Sequence, residues 1–229
     1  VTSPSKQWVR HDWAGSADDF HAAELPATRA MWWCQVDSPA LILGSTQSAE
    51  DIDPIIAAQL GVSVVRRRSG GGAVYVHPAD SIWIDITIGR DDPLWIDDVG
   101  QSMLWLGNCF VDALRPWCHA ETYRGPFVGG VDGRAVCFAS TSPGEVFVEE
   151  KKLIGISQRR GRDGARFQCV MYRQWQPDEW ATAIADPEVQ DRLGSMAVAT
   201  LDVPARDILD SVFTHLSGLG GERSGEIWG

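Results

Sequence analysis

At 229 residues and 44% apolar, the chain is long enough for one sizeable core and short for two. Its net charge of -11 and pI near 4.8 exclude non-specific binding to DNA, RNA or anionic lipid, all of which need a basic face. Cys34, Cys109, Cys118, Cys137 and Cys169 are odd in number, with no CxxC pair and no metal-ligand ladder, which predicts reduced thiols in a cytoplasm.

The N-terminus has no apolar leader, and no later run approaches the roughly 18 apolar residues of a membrane span. Residues 1–6 and the glycine-rich end from about 218 to 229 read as flexible tails. Between them, ADDFHAAELPATRAMWWC at 17–34 predicts a helix kinked near Pro26. ALILGSTQ at 40–47 predicts a strand running into a turn, and DIDPIIAAQLG at 51–61 a short helix with Asp at its start and Gly at its end. VSVVRRR is a β-branched strand entering a glycine loop. SIWIDITI at 81–88 places Ile82, Ile84, Ile86 and Ile88 on one face at period two. From Asp97 to about Trp117, Val99, Met103, Leu106, Phe110 and Leu114 recur at helical spacing. AVCFA, EVFVEE, KLIGISQRR and ARFQCVMY predict a meander of short strands, and ARDILDSVFTHL at 205–216 a closing helix. The alternation suits one α+β or α/β domain.

Two passages carry chemistry. In VVRRRSGGGAVY, 64–75, three glycines leaving a strand let backbone approach a ligand and turn its N–H groups toward an anion, with Arg66, Arg67 and Arg68 adding charge. The loop is neither a Walker loop nor a dinucleotide fingerprint. In EEKKLIGISQRR, 149–160, stand Lys151 and Lys152, which with Lys6 are the only lysines of an otherwise arginine-based chain. An ammonium is a compact point charge that can sit beside an oxyanion without a planar fork.

RRRSGGGAVY resembles the signature of the lipoate-protein ligases, in the superfamily they share with biotin ligases and octanoyltransferases. Lys152 through Arg160 is similar to that family's lysine motif, K-[LIV]-x-G-x-[AS]-Q-R-R, and ALILGSTQ is a weaker third match; together they run from about residue 18 to 172. The resemblance implies an α+β fold, a mixed or antiparallel sheet flanked by helices. It also implies a two-step reaction. Lipoate or octanoate attacks ATP, with Mg²⁺, to give an acyl-adenylate, and the acyl group passes to a lysine of a lipoyl carrier domain or the glycine-cleavage carrier protein. The motif lysine falls on Lys152, leaving Lys151 for solubility. Substrate and nucleotide contacts fall on Arg67, Ser69, Gly70, Gly71, Gly72, Ala73, Val74, Tyr75, His77, Gly155 and Ser157, with Val74, Tyr75 and the Ile-rich strand lining an acyl tunnel. A fixed ammonium would stabilise the oxygens where carboxylate meets phosphate.

The family continues GGGAV[YF]HDxGN where this chain reads GGGAVYVHPADS, so Val76 holds the His position, His77 the Asp position and Asp80 the metal-linked Asn position. The family's His-Gly after the lysine hairpin is replaced near Cys169. Bacterial ligases often carry an additional C-terminal domain; none is expected here, and either a separate accessory subunit supplies its function or the protein works without it. AVCFASTSPGEVF resembles the CFxxxSxxE segment of one octanoyltransferase group, which would make Cys137 an acyl-thioester nucleophile assisted by Lys152. That group tends to carry Arg where this chain has Gly72. A third alternative is a catalytically degenerate acyl-binding protein.

Overall fold

The computed structural model describes residues 7–219. In chain order its elements are β1 (Val9–Gly15), α1 (Ala17–Ala22), β2 (Ala30–Val36), β3 (Ala40–Leu43), α2 (Pro54–Gln59), β4 (Ser63–Arg66), β5 (Val74–Val76) and β6 (Ser81–Gly89). There follow α3 (Leu104–Leu114), β7 (Glu121–Thr122), β8 (Val146–Val148), β9 (Lys151–Arg160), β10 (Gly164–Tyr172), α4 (Pro187–Leu193) and α5 (Ala205–Gly218). Seven strands form a sheet in the order β1-β2-β6-β10-β9-β8-β7, antiparallel except for β1 beside β2, and a second sheet runs β4-β3-β5. The architecture is α+β, a mixed sheet flanked by helices, as the sequence implies. Among the described residues no helix is long and apolar enough to cross a membrane.

Two cores flank the large sheet. Ile82, Ile84, Ile86 and Ile88 of β6 join Phe167, Cys169 and Met171 of β10 under α3 and α5. The alternate residues, Trp83 on β6 and Val170 and Tyr172 on β10, face the other core, which holds the small sheet, Phe20 of α1, and α4. The period-two reading of β6 therefore stands, but its isoleucines line no tunnel, because they lie on the α3 and α5 face.

The expected helix over 17–34 is corrected to a short helix and a strand. Ser16 caps α1 by accepting the Asp19 amide, and the chain is extended by Ala23, ahead of Pro26, which disfavours helix at the residue before it. Residues 30–36 enter the sheet between β1 and β6. Apolar groups face both sides of such a strand, so no two-residue period marks it. Helix α3 begins only at Leu104, since Asp98 Oδ1 accepts the amides of Gly100 and Gln101 in a turn that leaves Val99 exposed. AVCFA is not a strand: after a single bridge from Val136 to Ala73, Cys137–Ala139 winds into a 3-10 turn. The expected tails at 1–6 and about 218–229 lie outside the described residues except for Gly218 and Leu219, which end and cap α5.

Candidate active site

Between the two sheets lies a small pocket, open to solvent, walled by β3, β5 and β4's exit on one side and by β6, β9 and β10 on the other. Apolar Ile42, Val74, Phe138 and Val170 line it together with Cys137, Arg67, His21, Ser157 and Gln168. A mainly apolar cleft with a few convergent polar groups is the usual form of a small-molecule site.

The glycine loop is held from three directions. The Arg67 guanidinium is buried and donates to the carbonyls of Ile42 at 3.3 Å, Gly70 at 2.7 Å and Gly72 at 3.0 Å, and it stands near the Cys137 sulfur, the two flanking Gly71. No carboxylate pairs with it among the described residues, and its Nε is unpartnered. Burial pushes this guanidinium below its ordinary value, with Cys137 pulling the other way. The amides of Gly70, Gly71 and Gly72 form no hydrogen bond among the described residues, leaving three donors in one loop. Ala73 donates to the Ala135 carbonyl and accepts from the Cys137 amide, each over 2.8–2.9 Å, which ties the loop to the turn bearing the thiol. A Cβ on Gly72 would lie 2.8 Å from Val136 backbone, so a side chain there would displace the Cys137 turn.

Gly44, in the weak third motif, fits the same packing: a Cβ there would sit 1.8 Å from the Gly71 carbonyl oxygen. Gly44→Ala is expected to cost about 3 kcal/mol in urea denaturation, since backbone must move to relieve the overlap.

Lys152 is buried and Lys151 exposed. The Lys152 ammonium donates to the Cys137 carbonyl at 3.0 Å and to both oxygens of Glu145, at 3.0 and 2.9 Å, and lies 5.4 Å from the centre of the Phe138 ring. Glu145 is itself buried and accepts the Ser142 amide. Burial pushes its carboxyl up, against the pull of Lys152. Gly155 leaves room for the Phe138 ring, whose edge would be 3.2 Å from a Cβ. Glu145 closes the CFxxxSxxE segment, yet the sequence alone assigned it no task.

Ser69, Ser157 and Gln168 meet in the pocket wall, with Ser69 Oγ donating to Gln168 Oε1 at 2.7 Å and 3.2 Å from Ser157 Oγ. Gln168 Nε2 lies 3.2 Å from Nδ1 of His21. His21 carries no sequence signal, being one histidine on a short helix. Burial, then Arg166 and Arg67, push its imidazole down to about 3 from 6.5. The unfolded chain therefore takes up a proton that the folded one refuses as pH falls below the ordinary histidine value, and stability falls with it. From about pH 6 to 4.5, wild type is expected to lose about 2 kcal/mol more than His21→Phe in urea unfolding.

Tyr75 and His77 project from the opposite face of β5 to Val74, against Trp180, and do not line the pocket. His77 Nδ1 is 2.9 Å from Asp80 Oδ2, and with Glu179 the three offer ligand atoms within 4.8 Å of one another. This donor set suits a divalent cation by its chemistry. None of the three lines the pocket, so the expected Mg²⁺ ligand Asp80 is not brought beside Lys152.

A model of the lipoyl protein ligase A/B catalytic domain matches residues 17–211. The octanoyltransferase LipM of Kyrpidia tusciae is 30% identical over 146 residues, 61% of this chain and 52% of that protein, so the chain spans about half the length of the curated relative it matches. A protein of T. acidophilum assigned as a lipoate protein ligase, solved with bound lipoic acid, superposes with a TM-score of 0.68 at 18% identity, covering 93% of this chain and 84% of that one. A lipoate-protein ligase A bound with ATP gives the same figures. The bipartite lipoate protein ligase of Thermoplasma acidophilum, solved in a study with its E2 lipoyl domain, gives 0.66 at 17%, covering 91% and 82%.

Proposed function

Since the chain belongs to the lipoyl protein ligase A/B catalytic domain family, we propose that it passes a medium-chain acyl group to a carrier-domain lysine through a thioester on Cys137. The observation that carries this reading is the juxtaposition inside the pocket: the Cys137 thiol and the Arg67 guanidinium both line it beside Gly71, and among the described residues no carboxylate pairs with that arginine. Lys152, by contrast, is already matched by Glu145, so its charge is not free for a phosphate. A thiolate is the nucleophilic form of cysteine.

In the first step Cys137 Sγ attacks the carbonyl of an acyl thioester; the new C–S bond forms as the donor's C–S bond breaks, and the donor thiol leaves with the proton. In the second, the ε-amine of the acceptor lysine attacks the acyl carbon. The amide forms, the lysine nitrogen gives up a proton, and Cys137 is restored as the thiol. The free amides of the glycine loop supply donors for the oxygen that becomes charged in both steps. The acceptor is a lipoyl-type carrier, a reading supported by the T. acidophilum ligase studied with its E2 lipoyl domain; its bipartite make-up likewise supports a separate subunit.

The same three amides favour a second reading, adenylation of lipoate or octanoate by ATP, because a glycine loop with unused N–H groups suits a phosphate. Intact mass after incubation with an octanoyl thioester, beside pyrophosphate release with ATP, Mg²⁺ and either acid, separates the two. An octanoyl adduct on Cys137 without pyrophosphate supports the transferase. Acid-dependent pyrophosphate release with no adduct overturns it in favour of a ligase, and neither product leaves an acyl-binding protein.

A further inference from the structure

The pocket wall contains a directed run of hydrogen bonds that ends in a donor with nothing to meet. Ser69 has one hydroxyl proton, and it goes to Gln168 Oε1. Ser69 Oγ therefore accepts from Ser157, 3.2 Å away. With its oxygen so used, the Gln168 amide turns its nitrogen to His21 Nδ1, and the buried Asp85 is its cross-strand partner on β6. Asp85 fixes that orientation, because a flipped amide would set carbonyl against carboxylate. His21 Nδ1 must then accept, which places the ring proton on Nε2.

His21 is 7% exposed and packs its ring 4.9 Å from that of Trp83. Among the described residues its buried Nε2 meets no partner, although the residue lines the pocket. The imidazole is neutral there, held so by burial and two nearby guanidinium groups, and offers a single uncharged N–H. The polar wall is set off along the strands: Gly155 beside Phe138 pairs with Val170, and Ser157 pairs with Gln168 two residues further on.

We propose that the acyl chain accepted here carries an oxygen acceptor, oxo or hydroxyl, that takes the Nε2–H of His21. This deepens the acyl-transfer reading and rests on it, naming the class of acid the site selects. A saturated chain leaves this buried donor unpaired, whereas an oxygenated chain supplies the bond it lacks. Sulfur accepts weakly, so a dithiolane would gain less than an oxygen.

The test is calorimetric titration of the full chain with octanoate, lipoate and a series of oxo- and hydroxy-octanoates in which the oxygen moves along the chain. At least one oxygenated acid is expected to bind about tenfold tighter than octanoate, with the preference lost in His21→Phe, which keeps the ring against Trp83. The wild-type series decides the matter even if that variant does not fold. Octanoate binding as tightly as every oxygenated acid overturns the inference and leaves acyl transfer standing. Preference for lipoate alone, or no binding by any of the acids, overturns the oxygen assignment, while the octanoyl-thioester adduct on Cys137 decides acyl transfer separately.

Discussion

Cys137→Ala is expected to abolish the acyl-enzyme adduct and to lower carrier acylation from an octanoyl thioester by at least about a thousandfold, the scale of losing a nucleophile. Folding should survive, since the side chain removed is small and the turn beneath it is held by backbone bonds to Ala73 and by the Lys152 ammonium. Cys137→Ser tests the same step differently. The hydroxyl fits the space but ionises far less readily than a thiol, so its activity should fall nearly as far. Arg67→Met removes the charge beside the sulfur and should cost about a hundredfold, together with some stability, because two bonds to the loop and one to Ile42 of β3 go with it. The measurement is carrier acylation followed by mass, with urea midpoints for each variant. Full activity in Cys137→Ala would eliminate the thioester route and leave ATP-dependent chemistry to explain the glycine-loop donors.

The sequence revealed most where one physical rule dominated. A two-residue period marks β6, because one row of isoleucines fills a single core and the alternate residues face a different one. Three glycines mark the loop, because Gly72 abuts Val136 backbone and Gly71 adopts φ of 103°, which a side chain tolerates poorly. Where two rules compete, the reading failed. The row AMWWCQV is apolar on both faces, so it passed for helix until its sheet partners were known. At Cys137 a β-like composition lost to tertiary bonds from Ala73, and the chain coiled into a turn that presents the thiol. His21 and Gln168 were silent, as their roles depend on contacts 147 residues apart in the chain. Tyr75, adjacent to Val74, was assigned to the pocket although neighbouring strand residues face opposite ways.

Lys152→Met is expected to destabilise the protein by about 3–5 kcal/mol, because it leaves the Glu145 carboxylate buried without its partner. Glu145→Leu should cost a similar amount by stranding the ammonium. The pair is no net stabiliser by itself: both side chains are 2% exposed, and the carboxyl is shifted up despite the nearby ammonium, so burial outweighs attraction. The double variant K152M/E145L should therefore be less unstable than either single one, retaining a deficit of about 1–2 kcal/mol. That deficit has an address, in the Ser142 amide that loses its partner and the Cys137 carbonyl that keeps only its Ser140 donors. Activity should not follow stability back. The ammonium positions the turn beneath the nucleophile, and a displacement of that turn by about an ångström is enough to lose a hundredfold in rate. Urea unfolding and carrier acylation measured on all four proteins separate the effects. If acylation in the double variant recovers with its stability, Lys152 merely supports the fold; if it stays low in a well-folded protein, the lysine sets the geometry of the thiol.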